Sequence, residues 1–232
     1  MTINTAATLS PVTPVAAPKR RAPKETIERI MEAARNEFGN AGLSGARIEE
    51  IAIRAGVTKQ LVYHYYQNKT ELYIAVLDEA ASRTAAELIK IEYDELDPTA
   101  AVRLFFQSVF DQYERWPYLA GLRLGENMHR YEHIMARKRS ALKISVLITK
   151  FSAIIERGQR AGLFRLDIDP RMVFGAGLIL ITGCFTNGMT LSSLLPVDLM
   201  APEGIAFWRE YSVQFVLNSM CIHGTNMPAA TH

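Results

Sequence analysis

Residues 46–69 read Ala-Arg-Ile-Glu-Glu-Ile-Ala-Ile-Arg-Ala-Gly-Val-Thr-Lys-Gln-Leu-Val-Tyr-His-Tyr-Tyr-Gln-Asn-Lys, and their pattern decides the architecture. Ile48, Ile51, Ala52 and Ala55 recur at helical steps and form one apolar face. Gly56 follows, a residue that takes positive φ without steric cost where a helix has to stop and turn. Val57 plugs the turn, and Thr58 suits the N-cap of a second helix. In that helix Val62 and Tyr66 face inward, which leaves Lys59, Gln60, Leu61, Tyr63, His64 and Tyr65 pointing out or sideways. Lysine, glutamine, histidine and two tyrosines on an outer face, directly after a glycine turn, fit a DNA groove. The plainer alternative is a surface helical hairpin with polar decoration.

Helical patterns continue on both sides. Ile27, Ile30, Met31, Ala34 and Phe38 form a stripe closed by Gly39 and Gly42, so a first helix is predicted from about Lys24 to Ala41. Lys69 to Leu72 opens a long helix, and Asp97-Pro98 opens another that runs to Trp116. Further helices are predicted over Tyr118 to His129, Ile134 to Ala161, Asp169 to Leu195 and Glu203 to His223, with Gly162 and Pro196 as stops. No strand-length alternation competes, so the expected class is all-α. The expected organisation is a tail with a basic arm over 1–22, a three-helix helix-turn-helix DNA-binding domain over 23–69, a helical effector-binding and dimerisation domain over 70–223, and a second tail over 224–232. The first tail is Thr-, Ala-, Pro- and Val-rich and too poor in bulky apolar residues to order itself. It ends in Lys19-Arg20-Arg21, an arm suited to phosphate or the minor groove.

Charge divides the chain in the same way. Residues 1–69 carry ten Lys+Arg against six Glu, whereas the remaining residues carry sixteen basic and eighteen acidic groups. A basic front end on a mildly acidic body suits a nucleic-acid-binding module joined to something else. The two cysteines, Cys184 and Cys221, make no disulfide framework and fit a reducing cytoplasm, with a redox pair as the less favoured reading. Met172 to Val197 holds no charged residue and is long enough to span a bilayer. It also holds four glycines and several threonines and serines, with no flanking basic cluster or aromatic belt. The expectation is therefore a helix buried against its own domain and a second subunit, with no membrane partner.

The run from Ile27 to Leu77 is similar to the DNA-binding domain of the TetR (tetracycline repressor) family of bacterial transcriptional regulators. The residues that carry the likeness are Ala34–Phe38, Gly42, Ile51-Ala52, Ala55-Gly56-Val57, Val62-Tyr63-His64-Tyr65-Tyr66, Asn68-Lys69 and Leu72. The rest of the chain resembles the family in its all-helical architecture and in the Gly162-Leu163-Phe164 and Asp169-Pro170 junction. The resemblance implies a cytoplasmic homodimer, paired through the helices near 170–195 and 203–223. Its two recognition helices would enter successive major grooves of a palindromic operator. It implies Lys59 on guanine, Gln60 on adenine and Leu61 on a thymine methyl. Tyr63, His64 and Lys69 match backbone-holding positions, Arg47 and Thr58 stand at helix N-termini that favour phosphate, and Tyr65 completes the reading face. Tyr66 departs from a position more often Phe.

Control is expected from a small-molecule effector that releases DNA by shifting the helix that starts at Lys69. Candidate ligand residues are the polar groups set in apolar helices, Arg123, Glu126, Asn127, Thr182 and Asn187, with walls from Phe105, Tyr113 and Phe151. No cofactor is expected. Glu126, His129 and His133 share a helix face, which leaves a metal-binding or helical-bundle enzyme as the alternative. A lone Glu-x-x-His is only half of a di-iron pattern, however, and no Walker, G-x-S-x-G, C-x-x-C or dinucleotide motif supports catalysis.

Overall fold

The computed structural model describes residues 23–128 and 138–222, the side chains of 126–128 and 138–139 excepted. Among these residues there are nine helices: α1 Pro23–Gly45, α2 Ile48–Ala55, α3 Lys59–Tyr65, α4 Lys69–Ile89, α5 Pro98–Arg115, α6 Tyr118–Met128, α7 Lys138–Arg160, α8 Pro170–Leu194 and α9 Pro202–Met220. Gly42 interrupts α1 at φ 64° and ψ −177°, so its regular part ends where the glycines predicted a stop. An isolated β-bridge joins Phe164 to Cys221 and ties the α7–α8 turn to the end of α9.

The helices begin where side chains satisfy the free amides of a first turn. Thr58 Oγ1 accepts from the Leu61 amide at 3.2 Å and Asn68 Oδ1 from the Glu71 amide at 2.8 Å. Asp97 and Asp169, each before a proline, accept from Thr99 and Arg171, both at 2.8 Å.

Two apolar clusters form the interior. The first joins Ile30, Ala34 and Phe38 of α1 with Ile51 and Ala52 of α2, Val62 of α3, and Leu72, Val76 and Leu77 of α4. Leu119 and Leu122 of α6 belong to it as well. The second gathers Leu88, Phe105, Phe106, Phe110, Phe151, Ile155, Ile181, Trp208 and Val213 from α4, α5, α7, α8 and α9. Helix α4 runs through both. Its far end and the loop after it are clamped by α7: Lys150 Nζ donates to the Ile89 and Ile91 carbonyls, and Arg157 to those of Tyr93, Asp94 and Leu96.

Helix α8 is long and apolar enough to cross a membrane by length and composition alone. It packs on α5, α7 and α9 and buries Phe174, Gly177, Ile181, Thr182, Gly183, Cys184 and Gly188. A Cβ on Gly177 would lie 2.3 Å from the Phe106 ring, and one on Gly188 would lie 3.1 Å from Met200 Sδ, so these glycines admit neighbours from their own chain.

Candidate nucleic-acid interface and effector cavity

Helix α2 ends on Gly56 in the left-handed region, at φ 62° and ψ 42°, and its amide bonds back to Ile53. One extended residue, Thr58, then starts α3, in which only Val62 is buried. Thr58, Lys59, Gln60, Tyr63 and His64 are exposed, as is Arg47 at the N-cap of α2. Leu61 and Tyr65 are half-buried, and Tyr65 and Tyr66 pack against the first core. Tyr65 therefore stands at the edge of the exposed face of α3, because the helix is short and its last turn packs on the first core.

Two placements could not be read from local sequence. Lys59 Nζ bonds Glu49 Oε1 of α2 at 2.6 Å and lies 5.8 Å from the Tyr63 ring centroid. The shared hydrogen bond holds the Glu49 carboxyl below its ordinary range and the Lys59 ammonium above its own. Lys69 Nζ donates to the carbonyls of Ser44 at 3.2 Å and Ala46 at 3.1 Å. It fastens the end of α1 to the start of α4 and has one donor left for a phosphate. Glu37, buried on α1, is a further positioning residue. Its carboxylate accepts from the Arg47 amide at 3.1 Å and faces Arg54 at 3.6 Å, so it holds both ends of α2.

Below this head lies a cavity of about 360 Å³ enclosed by α4, α5, α6, α7 and α8. Tyr113, Arg123 and Thr182 line it as expected, together with Thr84, Gln112, Leu77, Leu122, Leu147, Phe174 and Leu178. Phe105 and Phe151 do not. Their rings pack on each other at 4.7 Å and on Phe106 and Phe174 inside the second core, fully enclosed. Asn187 is also elsewhere, exposed at a kink of α8 with φ −132°, where its amide donates to Thr186 Oγ1 at 2.9 Å. The side chains of Glu126 and Asn127 lie outside the described residues, as do His129 and His133. Among the described residues no group of three or more His, Cys, Asp or Glu is placed to hold a metal.

The cavity and the head share α4 and α6. Leu119, Leu122 and Arg123 of α6 line the cavity, while the same helix crosses α1 at Gly39 and Gly121. A Cβ on Gly121 would stand 1.7 Å from the Gly39 carbonyl oxygen, so the two backbones touch there.

Residues 30–76 match the family described as "Bacterial regulatory proteins, tetR family", and residues 98–216 match "Tetracyclin repressor-like, C-terminal domain". The chain belongs to the TetR family. It is 33% identical over 201 residues to the HTH-type transcriptional repressor NicS of Pseudomonas putida, an alignment covering 84% of the chain and 92% of that relative. In fold it is similar to the fatty acid degradation regulator FadR of Bacillus halodurans, with a TM-score of 0.64 at 20% identity over 86% of the chain and 97% of that structure. FadR of Bacillus subtilis, solved in complex with stearoyl-CoA, aligns with a TM-score of 0.60 at 17% identity over 86% of the chain and all of that structure. As a TetR-family member the protein is a DNA-binding transcriptional regulator and not an enzyme.

The regulator leaves an apolar surface uncovered on its last two helices. Met172, Ile179, Met189 and Leu194 of α8 are more than two-thirds exposed, beside Phe207, Tyr211 and Phe215 of α9. The three α9 rings form a ladder at four-residue steps, with Phe207 and Tyr211 stacked at 5.7 Å.

Proposed function

We propose that this TetR-family regulator is a homodimeric, cytoplasmic repressor that holds a palindromic operator and lets go when a small molecule fills the cavity between α4 and α8. The observation that carries the reading is the shared use of α4 and α6 by the cavity wall and the reading head. A ligand that widens the cavity displaces α6, and the Gly39–Gly121 crossing passes the displacement to α1 without side-chain slack. The ligand must prefer the spread arrangement, because equal affinity for both shifts nothing.

In this account residues 23–69 are the DNA-binding domain and 70–223 the effector and dimerisation domain, flanked by the tails 1–22 and 224–232. Lys59, Gln60 and Leu61 read base edges, and Tyr63, His64, Arg47 and Thr58 hold phosphates. Tyr65 supports the edge of that surface, and Lys69 contributes its remaining donor. Lys59 leaves Glu49 to reach DNA, so Glu49 keeps it ordered until then. The uncovered faces of α8 and α9 pair the protomers, which sets two α3 helices about 34–36 Å apart, one turn of B-DNA.

The test is a fluorescence-anisotropy titration of the DNA upstream of the chain's own gene. The wild type should bind specifically, and the Lys59→Ala/Tyr63→Ala double variant should bind at least roughly tenfold more weakly. Equal binding by the double variant would remove α3 from the reading role.

A further inference from the structure

We infer that the cavity takes a small, mostly apolar organic anion that carries a hydrogen-bond donor away from its acidic group, a hydroxyaryl carboxylate being the simplest such compound. The inference rests on the cavity being the effector site, and it adds the chemistry of the effector.

Among the described residues Arg123 is the one charged side chain in the cavity wall, and none of those lining it is a carboxylate. Among the described side chains none accepts a hydrogen bond from it. Glu126 and Asn127, on the same helix, are outside that set. A half-buried guanidinium lining a largely apolar cavity, with no counter-charge among the described residues, is costly, and a bidentate carboxylate satisfies its forked donors with the strongest neutralising geometry.

Three of the remaining polar groups, on Thr84, Gln112 and Thr182, ask for the opposite partner. Thr182 Oγ1 already donates to the Leu178 carbonyl at 2.8 Å, and Thr84 Oγ1 to that of Ala81 at 3.0 Å. Each hydroxyl has one proton, so both oxygens remain only as acceptors. Gln112 Nε2 donates to the Thr84 carbonyl at 3.1 Å, which orients the amide and leaves Oε1 as an acceptor too. The cavity is thus cationic at α6 and rich in acceptors on α4, α5 and α8, with Phe174 and Leu178 as apolar wall between. Its volume of about 360 Å³ stands at the small end of ligand sites, which suits one ring better than a long chain.

Isothermal titration of the full-length protein with 4-hydroxybenzoate, 4-hydroxybenzamide, benzoate and tyramine tests this directly. The acid should bind roughly tenfold to a hundredfold more tightly than its amide. Benzoate should fall several-fold below 4-hydroxybenzoate for want of the donor, and tyramine should bind least. Arg123→Met should erase the difference between acid and amide, and Arg123→Lys should keep part of it, which separates lost charge from lost folding. Equal binding of acid and amide, a difference that survives Arg123→Met, tyramine as the tightest of the four, or no binding of any at millimolar concentration would each overturn the proposal. Acid-selective binding with operator affinity unchanged would leave the proposal standing and bring down only the release reading.

Discussion

Replacing Gly121 by alanine adds a single methyl group at the crossing of α6 and α1. That Cβ would lie 1.7 Å from the oxygen, 2.7 Å from the carbonyl carbon and 3.1 Å from the Cα of Gly39. All three atoms are helical backbone, which cannot rotate aside as a flexible side chain does, so the helices have to separate by roughly 1.5 Å or more to restore ordinary contact. Two effects oppose each other. Alanine is intrinsically better than glycine inside a helix by about 0.8–1.0 kcal/mol. Overpacking a well-filled contact costs about 1–3 kcal/mol, occasionally more, and here the contact is far below van der Waals distance. The clash wins, and a chain of this length loses about 2–4 °C of melting temperature per kcal/mol. The expected result in a circular-dichroism melt is a fall of several degrees, accompanied by weaker operator binding because α1 moves with α6. A Gly121→Ala protein that melts with the wild type and binds the operator equally would refute the close crossing and the mechanical link built on it.

Glu37→Ala should free both ends of α2, costing about 1–3 kcal/mol for the part-buried Arg47 amide left unpaired while the exposed Arg54 guanidinium takes up water, and should weaken operator binding as well as lower the melting temperature. Phe207→Asp with Phe215→Asp should yield monomers in analytical ultracentrifugation and abolish cooperative operator binding, since charge would replace the exposed ladder; a stable dimer would place the interface elsewhere. Burial pushes the Cys184 thiol up to about 12, so the thiolate is scarce at neutral pH and a thiol reagent at pH 8 should modify it only after unfolding. The same shift means that the unfolded chain releases this proton first as pH rises above about 9, so stability should decline from there toward 12, not below it.

What could be read from sequence follows from how local the cause is. Gly56 ends α2 and Thr58 caps α3 through bonds within four residues, so the turn and its outward face were legible in residues 46–69. The starts of α5 and α8 at Asp-Pro were legible for the same reason. Arrangements that depend on a partner far along the chain were not. Lys69 resembles a phosphate ligand until the fold brings the Ser44 and Ala46 carbonyls to its ammonium. Glu37 reads as one more charge on an amphipathic helix, yet it is buried against α2. Nothing in the spacing of Gly39 and Gly121 announces that they meet. The cavity wall was legible only in part, at Tyr113, Arg123 and Thr182. Periodicity places Phe105 and Phe151 inside but cannot choose between core and cavity for helices buried on several sides. Phe174, which does line the cavity, sits among charge-free residues where one apolar position looks like the next.

In the proposed function one dimer presents two coupled reading heads. That coupling is tested most directly by the distance between nitroxide labels placed at Gln67, an exposed residue beside α3, in a Cys184→Ala/Cys221→Ala background. Pulsed dipolar measurement should give a single narrow distribution on operator DNA, consistent with α3 helices one turn apart at about 34–36 Å. Adding the acid that binds the cavity should move that distribution to a longer separation as DNA is released. No inter-protomer distance on DNA, or the same distribution with DNA and with the acid, would mean that the two heads are not coupled through the dimer.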